Sequence, residues 1–260
     1  MVNGFIEKMF SLEGKVALVT GAGRGIGQVI ARDLARSGAS IAIFSRSGAA
    51  DTKKLIESEG GKCLDIIADV TDEAAVDAGV EKIIETFGSL DIVVNNSGVC
   101  YHKTALEATV KEWRDLLDIN LTGEYIVSRS AARVMIEKGI KGSMINIASM
   151  SGTIVNIPQC QAAYNASKAG VIHMTKSLAI EWKDYGIRVN SISPGYIATP
   201  MSVDPNFVEP ELMAAWQPLF PLGRMGKPEE LTGAVIWLCS ESAGYTTGAD
   251  IIIDGAYSVV

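Results

Sequence analysis

Short apolar runs alternate with longer amphipathic stretches along the chain. Residues 16–20, 40–44, 63–67, 92–95, 143–148, 188–192 and 250–253 are brief, rich in β-branched residues and nearly all apolar. That is the pattern of strands buried on both faces. Between them, residues 26–37, 50–58, 72–87, 110–138, 162–184 and 228–240 carry apolar positions at helical spacing. Gly38, Gly88, Gly139 and Gly186 each follow such a stretch, where a left-handed cap is easiest for Gly. The alternation predicts an α/β fold of Rossmann type, a doubly wound parallel sheet of about seven strands with helices on both faces. No linker, composition break or repeat divides residues 1–260, so one domain is expected. Only 194–228 lacks a clean period. It holds several prolines and follows a strand, where the ligand crevice of such sheets lies, so a substrate loop is expected there.

Composition narrows the partners. The 260 residues are 48% hydrophobic and 20% charged, and 23 Lys plus Arg against 30 Asp plus Glu leave a net charge of −7. No cation excess exists to neutralise phosphates, which argues against a nucleic acid partner. The 26 Gly, against 8 Pro and 7% aromatics, suit tight strand-to-helix turns better than a β-sandwich. Cys63, Cys100, Cys160 and Cys239 are isolated and only His102 and His173 accompany them, so neither a metal site nor a disulfide framework is expected. The first ten residues lack a signal-peptide core and no apolar run approaches a membrane span. The expectation is a soluble, cytoplasmic protein with no membrane partner.

The first strand runs into Thr20-Gly21-Ala22-Gly23-Arg24-Gly25-Ile26-Gly27, and a helix follows. The G-x-G-x-x-G spacing is not met, because Ile26 and Gln28 stand where it needs Gly. G-x-x-x-G-x-G is met by Gly21, Gly25 and Gly27, with the same physics of a tight turn that brings a pyrophosphate to amides at a helix N-terminus. The second strand ends in Phe44-Ser45-Arg46-Ser47, with no acid before Asp51. An acid there would bind ribose hydroxyls and repel a 2′-phosphate. Arg46 beside Ser45, with Arg24 in the glycine loop, instead favours NADP(H).

Within 162–184 lies Tyr164-Asn165-Ala166-Ser167-Lys168. Positions i and i+4 share a helix face, so the phenol and the ammonium address one space. A nearby ammonium lowers a phenol's pKa and makes proton exchange with a carbonyl or alcohol oxygen feasible. Beside this motif stand Asn95-Asn96-Ser97-Gly98, Asn120 in Asp118-Ile119-Asn120, Ser149 and Ser151, and Pro194-Gly195.

In this order and over essentially its whole length, the chain resembles the short-chain dehydrogenase/reductase family. Ser97 departs from the family's usual Ala. The resemblance implies that Tyr164 is the general acid/base and that Lys168 lowers its pKa and binds the nicotinamide ribose. A Ser polarises the substrate oxygen, and Asn120 supports a water relay from Lys168 to solvent. It further implies that Asp69 contacts adenine with Val70 beside it, and that Asn96 and Gly98 line the cofactor cleft. Pro194, Gly195, Ile197 and Thr199 then contact the cofactor, the last two at its carboxamide. Ser149, three residues before Gly152, fits one family rule; Ser151, thirteen before the Tyr, fits another. The long 152–164 segment makes the first rule the better guide and points to Ser149. His173, nine residues from Tyr164, faces away from it; His102 stands near the cleft mouth or on a solvated loop.

Residues 148–159, 164–170, 193–197 and 245–250 are similar to the NADP-dependent mannitol 2-dehydrogenase, sorbose reductase and carbonyl reductase branch. That implies hydride transfer between NADP(H) and a ketose or other ketone, with Asn156, Gln159 and Tyr196 near a polyhydroxylated substrate. Two alternatives stay open at this point: reduction of a 3-oxoacyl thioester, which the acidic balance disfavours, and a non-catalytic NADP-binding sensor. Tetramers are common in the family, and the apolar tail Tyr257-Ser258-Val259-Val260 fits a subunit contact.

Overall fold

The computed structural model describes residues 2–205 and 208–260; Met1, and Asn206 and Phe207 of the expected substrate loop, lie outside the described residues. The strands are β1 (Val16–Thr20), β2 (Ser40–Ser45), β3 (Cys63–Ile67), β4 (Ile92–Asn95), β5 (Ser143–Ile147), β6 (Arg188–Pro194) and β7 (Asp250–Ile253). They form one parallel sheet in the order β3-β2-β1-β4-β5-β6-β7. The helices are α1 (Val2–Phe10), α2 (Gly25–Arg36), α3 (Ala50–Ser58), α4 (Glu73–Phe87), α5 (Val110–Leu117), α6 (Gly123–Lys138), α7 (Ala162–Glu181), α8 (Pro200–Val203), α9 (Pro210–Trp216) and α10 (Glu229–Cys239).

Strand alternation divides the core. Ala17 and Val19 of β1 join Ile30, Leu34, Ile56, Val235 and Leu238 under α2, α3 and α10. Val16 and Leu18 turn the other way, onto Val76, Val80, Val127, Ala131 and Leu178 of α4, α6 and α7. Covering both faces is what allows nearly unbroken apolar strands. Strand order reverses on either side of β1, which opens the crevice at the carboxyl ends of β1 and β4.

Three features depart from the periodicity reading. α1 was not expected; it docks through the Met9 carbonyl, which accepts from the Ser242 hydroxyl at 2.7 Å. The stretch 110–138 is not one helix, because a π turn at Asp118–Thr122 separates α5 from α6. The 194–228 segment is less irregular than expected, since α8 and α9 lie in it. Gly38, Gly88, Gly139 and Gly186 all take positive φ, as helix-ending glycines should.

Candidate active site

A cleft of about 670 Å³ opens at the carboxyl ends of the strands. At one end the glycine loop leaves β1 with Gly21 at φ 65° and Gly25 at φ 62°, conformations that a side chain disfavours. Gly27 serves by closeness. A Cβ there would lie 2.4 Å from Asn96 Nδ2 and 2.7 Å from the Gly21 carbonyl oxygen. The Asn96 amide donates to the carbonyls of Thr20 (3.0 Å) and Gly21 (3.2 Å). In return, Thr20 Oγ1 accepts from the backbone N–H groups of Asn96 and Ser97 at 2.9 and 3.0 Å. The turn after β4 thus clamps the loop after β1. α2 starts with Arg24 extended and no side-chain cap, so its first amides suit an anion.

Arg24 and Arg46 are both exposed on the cleft wall. Ser45 Oγ donates to the Gly48 carbonyl at 3.1 Å, and Asp65 Oδ2 accepts from Ala49 N–H at 2.7 Å, so the Arg46 loop is pinned to β3. Asp69 lines the wall with its carboxylate on Thr71 at 2.8 Å, and buried Val70 rests on Gly123. Gly98 lines the same cleft.

The opposite end is built from β5, α6 and α7. After β5, Ser149 is extended and caps a short turn, its Oγ accepting from Ser151 N–H at 3.1 Å. Gly152 closes that turn against α7, where a Cβ would lie 2.7 Å from the Lys168 carbonyl carbon. This approach sets Ser149 beside Tyr164. Burial pushes the Tyr164 phenol above its ordinary range, with Cys100 adding to the rise; a hydrogen bond with Ser149 opposes it, and the Glu124 charge adds to it. The phenol is therefore held neutral, not lowered as the proximity of Lys168 alone suggests. Lys168 Nζ donates to the Ile147 carbonyl at 2.6 Å and to Glu124 Oε1 at 3.2 Å. Ser151 is engaged elsewhere: its hydroxyl donates to Asn156 Oδ1 at 2.5 Å and accepts from Gln161 at 3.2 Å.

Asn120 sits in the π turn, fully buried. Its Nδ2 donates to the Val99 carbonyl (2.8 Å) and Ser167 Oγ (3.2 Å), while its Oδ1 accepts from Val99 N–H at 2.8 Å. Its side chain ties the loop after β4 to α7, and together with Gly27 it stands behind the cleft wall. Every other expected site residue lines the cleft, including Ile26, Pro194, Gly195, Ile197 and Thr199. Gly195 is required by closeness, since a Cβ would lie 2.7 Å from Asp254 Cα. Thr199 and Ser202 cap α8 reciprocally.

Between these ends the cleft floor is polar but already paired. Gln159 donates to Tyr196 Oη at 2.7 Å and accepts from Trp216 Nε1 at 2.8 Å. Asn156 is buried, so it and Gln159 shape the floor instead of presenting free groups at the mouth. Trp216 meets Tyr196 at 4.8 Å and His102 edge-on at 5.9 Å between ring centroids. Burial lowers the His102 pKa, which favours a neutral imidazole in the cleft, and pushes the Cys100 thiol up to about 12. His173 is exposed on α7.

Sequence reasoning missed Gln161, Trp216, Cys100 and Glu124. Only Glu124 left a signal, a charged residue at a helix position whose period calls for an apolar one.

A parallel sheet of this order with a glycine loop at its switch point defines the dinucleotide-binding class of α/β proteins. A family model described as enoyl-(acyl carrier protein) reductase matches residues 21–258. The sorbose reductase of Candida albicans is 44% identical over 255 residues, covering 96% of this chain and 89% of that protein. The NADP-dependent mannitol dehydrogenase of Alternaria alternata is 40% identical over 260 residues, covering 98% and 96%. Among solved structures, a short-chain type dehydrogenase/reductase from Mycobacterium marinum superposes with a TM-score of 0.92 at 42% identity, covering 97% of this chain and 99% of that one. The chain belongs to the short-chain dehydrogenase/reductase family of oxidoreductases.

Proposed function

We propose that the protein is an NADP(H)-dependent oxidoreductase that interconverts a ketose and a polyol. One observation carries this reading: Ser149, Tyr164 and Lys168 gather at one end of a cleft whose other end holds the glycine loop, Arg24 and Arg46. The cofactor fits these residues. Positive φ at Gly21 and Gly25 and the bare backbone at Gly27 leave room for a pyrophosphate, and two guanidinium groups match a 2′-phosphate. Ile26 belongs to the phosphate loop; Asp69, Val70, Asn96 and Gly98 flank the adenine and ribose side; Pro194, Gly195, Ile197 and Thr199 flank the nicotinamide. When bound, the nicotinamide supplies or accepts the hydride.

The chain's own residues handle the proton. In the reducing direction Ser149 Oγ–H polarises the ketone oxygen, and Tyr164 gives its phenolic proton to that oxygen as charge develops there. The Lys168 ammonium steadies the resulting phenolate, and oxidation runs these transfers backward. Asn120 acts by holding the loop after β4 against α7, beside Ser167, whose hydroxyl donates to the Tyr164 carbonyl at 2.7 Å. The names of the sorbose and mannitol relatives support a polyhydroxylated substrate. The whole chain is read as one catalytic unit with 194–228 as its substrate loop.

A cytoplasmic homotetramer accompanies this reading. Tyr125 and Ile180 on the long helices α6 and α7, Val110 at the start of α5, and Val259 and Val260 in the tail are exposed apolar residues available to subunit contacts. Tyr257 is instead buried against Tyr196. Among the described residues no helix is long and apolar enough to cross a membrane.

Cofactor absorbance, followed with NADPH or NADH and a panel of fructose, sorbose, ethyl acetoacetate and acetoacetyl thioester, tests the assignment. Turnover of fructose or sorbose with NADPH is expected. No turnover with any of the four, or a preference for the thioester, would overturn it. Tyr164→Phe should abolish turnover while sparing NADPH binding.

A further inference from the structure

Glu124 is the one ionisable residue among the buried positions of α6, which include Val127, Ser128, Ala131 and Met135. It is 2% exposed and its partner Lys168 4%. Oε1 meets Lys168 Nζ at 3.2 Å, whereas Oε2 is buried without a hydrogen-bond partner. A pair like this rarely adds stability. Desolvating two charges offsets their attraction, and well-packed apolar residues of similar volume commonly do as well or better. An orphaned carboxylate oxygen worsens the balance. The pair sits on the lysine of the reacting couple, where charge matters most.

We propose that Glu124 is a positioning residue that holds Lys168 and, through its own charge state, sets how readily Tyr164 releases its proton. The proposal rests on the reading of Tyr164 as the proton donor. Ionised, Glu124 neutralises the lysine's charge and repels a phenolate, which keeps the phenol protonated and ready to reduce a ketone. Protonated, it leaves the ammonium's charge to favour the phenolate that polyol oxidation requires. Burial pushes the Glu124 carboxyl up to about 7 against the charge and hydrogen bond of Lys168, so the change falls in the working range.

The ionisable groups facing Glu124 across this region are few. α7 brings Lys168 and Tyr164, and the loop after β4 brings Cys100. β4 and β5 carry no ionisable side chain. α4 presents Glu73 and Asp77, which pair with Arg129 and Arg133 on the outer side. In the π turn Asp118 is exposed, and Asp69 on the loop after β3 is bonded to Thr71.

The test compares the wild type with Glu124→Gln and Glu124→Asp. The pH dependence of kcat for NADP-linked polyol oxidation should shift in Glu124→Gln by about one unit toward lower pH, a tenfold rise in phenolate fraction at fixed pH. KM for the polyol should stay within about twofold, and Glu124→Asp should keep the wild-type midpoint. In cofactor-free protein carrying ¹³C at glutamate carboxyls, one NMR signal should titrate near neutral pH and be missing from Glu124→Gln. Coincident pH profiles, a shift to higher pH, or the absence of that signal would overturn the proposal. If the wild type turns over no carbonyl, the functional reading fails while the NMR arm still decides whether Glu124 titrates. If Glu124→Gln does not fold, Glu124→Asp and the wild-type titration decide.

Discussion

Gly27→Ala tests whether the glycine loop is held by contact from below. Its added Cβ would lie 2.4 Å from Asn96 Nδ2, 2.7 Å from the Gly21 carbonyl oxygen and 3.0 Å from Ala22 Cα. Two of those neighbours are backbone and cannot swing aside, so the loop must open or α2 must retreat. Overpacking of this kind costs about 1–3 kcal/mol. Displacing the Asn96 amide also gives up its bonds to Thr20 and Gly21, about 1 kcal/mol each. The better helix propensity of Ala returns up to about 1 kcal/mol. The net loss is about 2–4 kcal/mol, or roughly 4–16 °C in Tm for a chain of this size. Because Gly21 itself moves, NADPH should bind about tenfold more weakly, equivalent to about 1.4 kcal/mol. Thermal melts and fluorescence titration with NADPH measure the two effects. Gly233→Ala in α10 is the internal comparison, since a Cβ there meets nothing within 4 Å; it should stabilise by about 0.5–1 kcal/mol. A Gly27→Ala protein as stable as the wild type and binding NADPH equally well would refute the reasoning.

Three further outcomes are expected. Arg46→Asp should cost about 1.5–3 kcal/mol of NADPH binding through loss of a charge-assisted contact, roughly 10- to 100-fold, and leave NADH affinity unchanged or better; parallel Kd measurements check this. Ser149→Ala should lower kcat about 10²-fold or more, as removal of a donor at developing charge does, whereas Ser151→Ala should lose mainly stability through its bonds to Asn156 and Gln161. Glu124 makes stability depend on pH with a definite sign. Its folded midpoint of about 7 lies above that of an ordinary carboxyl, so its contribution is fully present below the unfolded value and lost as pH rises toward 7. Denaturant unfolding of wild type and Glu124→Gln between pH 4 and 8, about the range of those two midpoints, should show that slope only in the wild type.

The strands, most of the helices and the parallel sheet were legible because burial on both faces leaves a local, periodic trace. The glycine loop and the Tyr164–Lys168 pair were legible because each is a short spacing along the chain, and the two arginines because each closely follows the end of a strand that the periodicity marks. The particular roles of other residues were not. Asn120 reads as a polar residue in a long helix, yet a π turn and the Val99 backbone decide what its amide touches. Ser149 and Ser151 differ by two positions, and only the approach of Gly152 to α7, with Asn156 and Gln161 arriving from elsewhere, separates their partners. Asn156 and Gln159 look like free polar groups until Tyr196 and Trp216 are brought onto them. Glu124 stands 44 residues from Lys168 in sequence and acquires its raised pKa only when α6 and α7 bury it. The sequence by itself determined periodicity, capping and short-range motif geometry, because these depend on neighbours along the chain. Tertiary structure decided hydrogen-bond partners, burial and charge state, because those depend on which distant segments exclude water from the same few cubic ångströms.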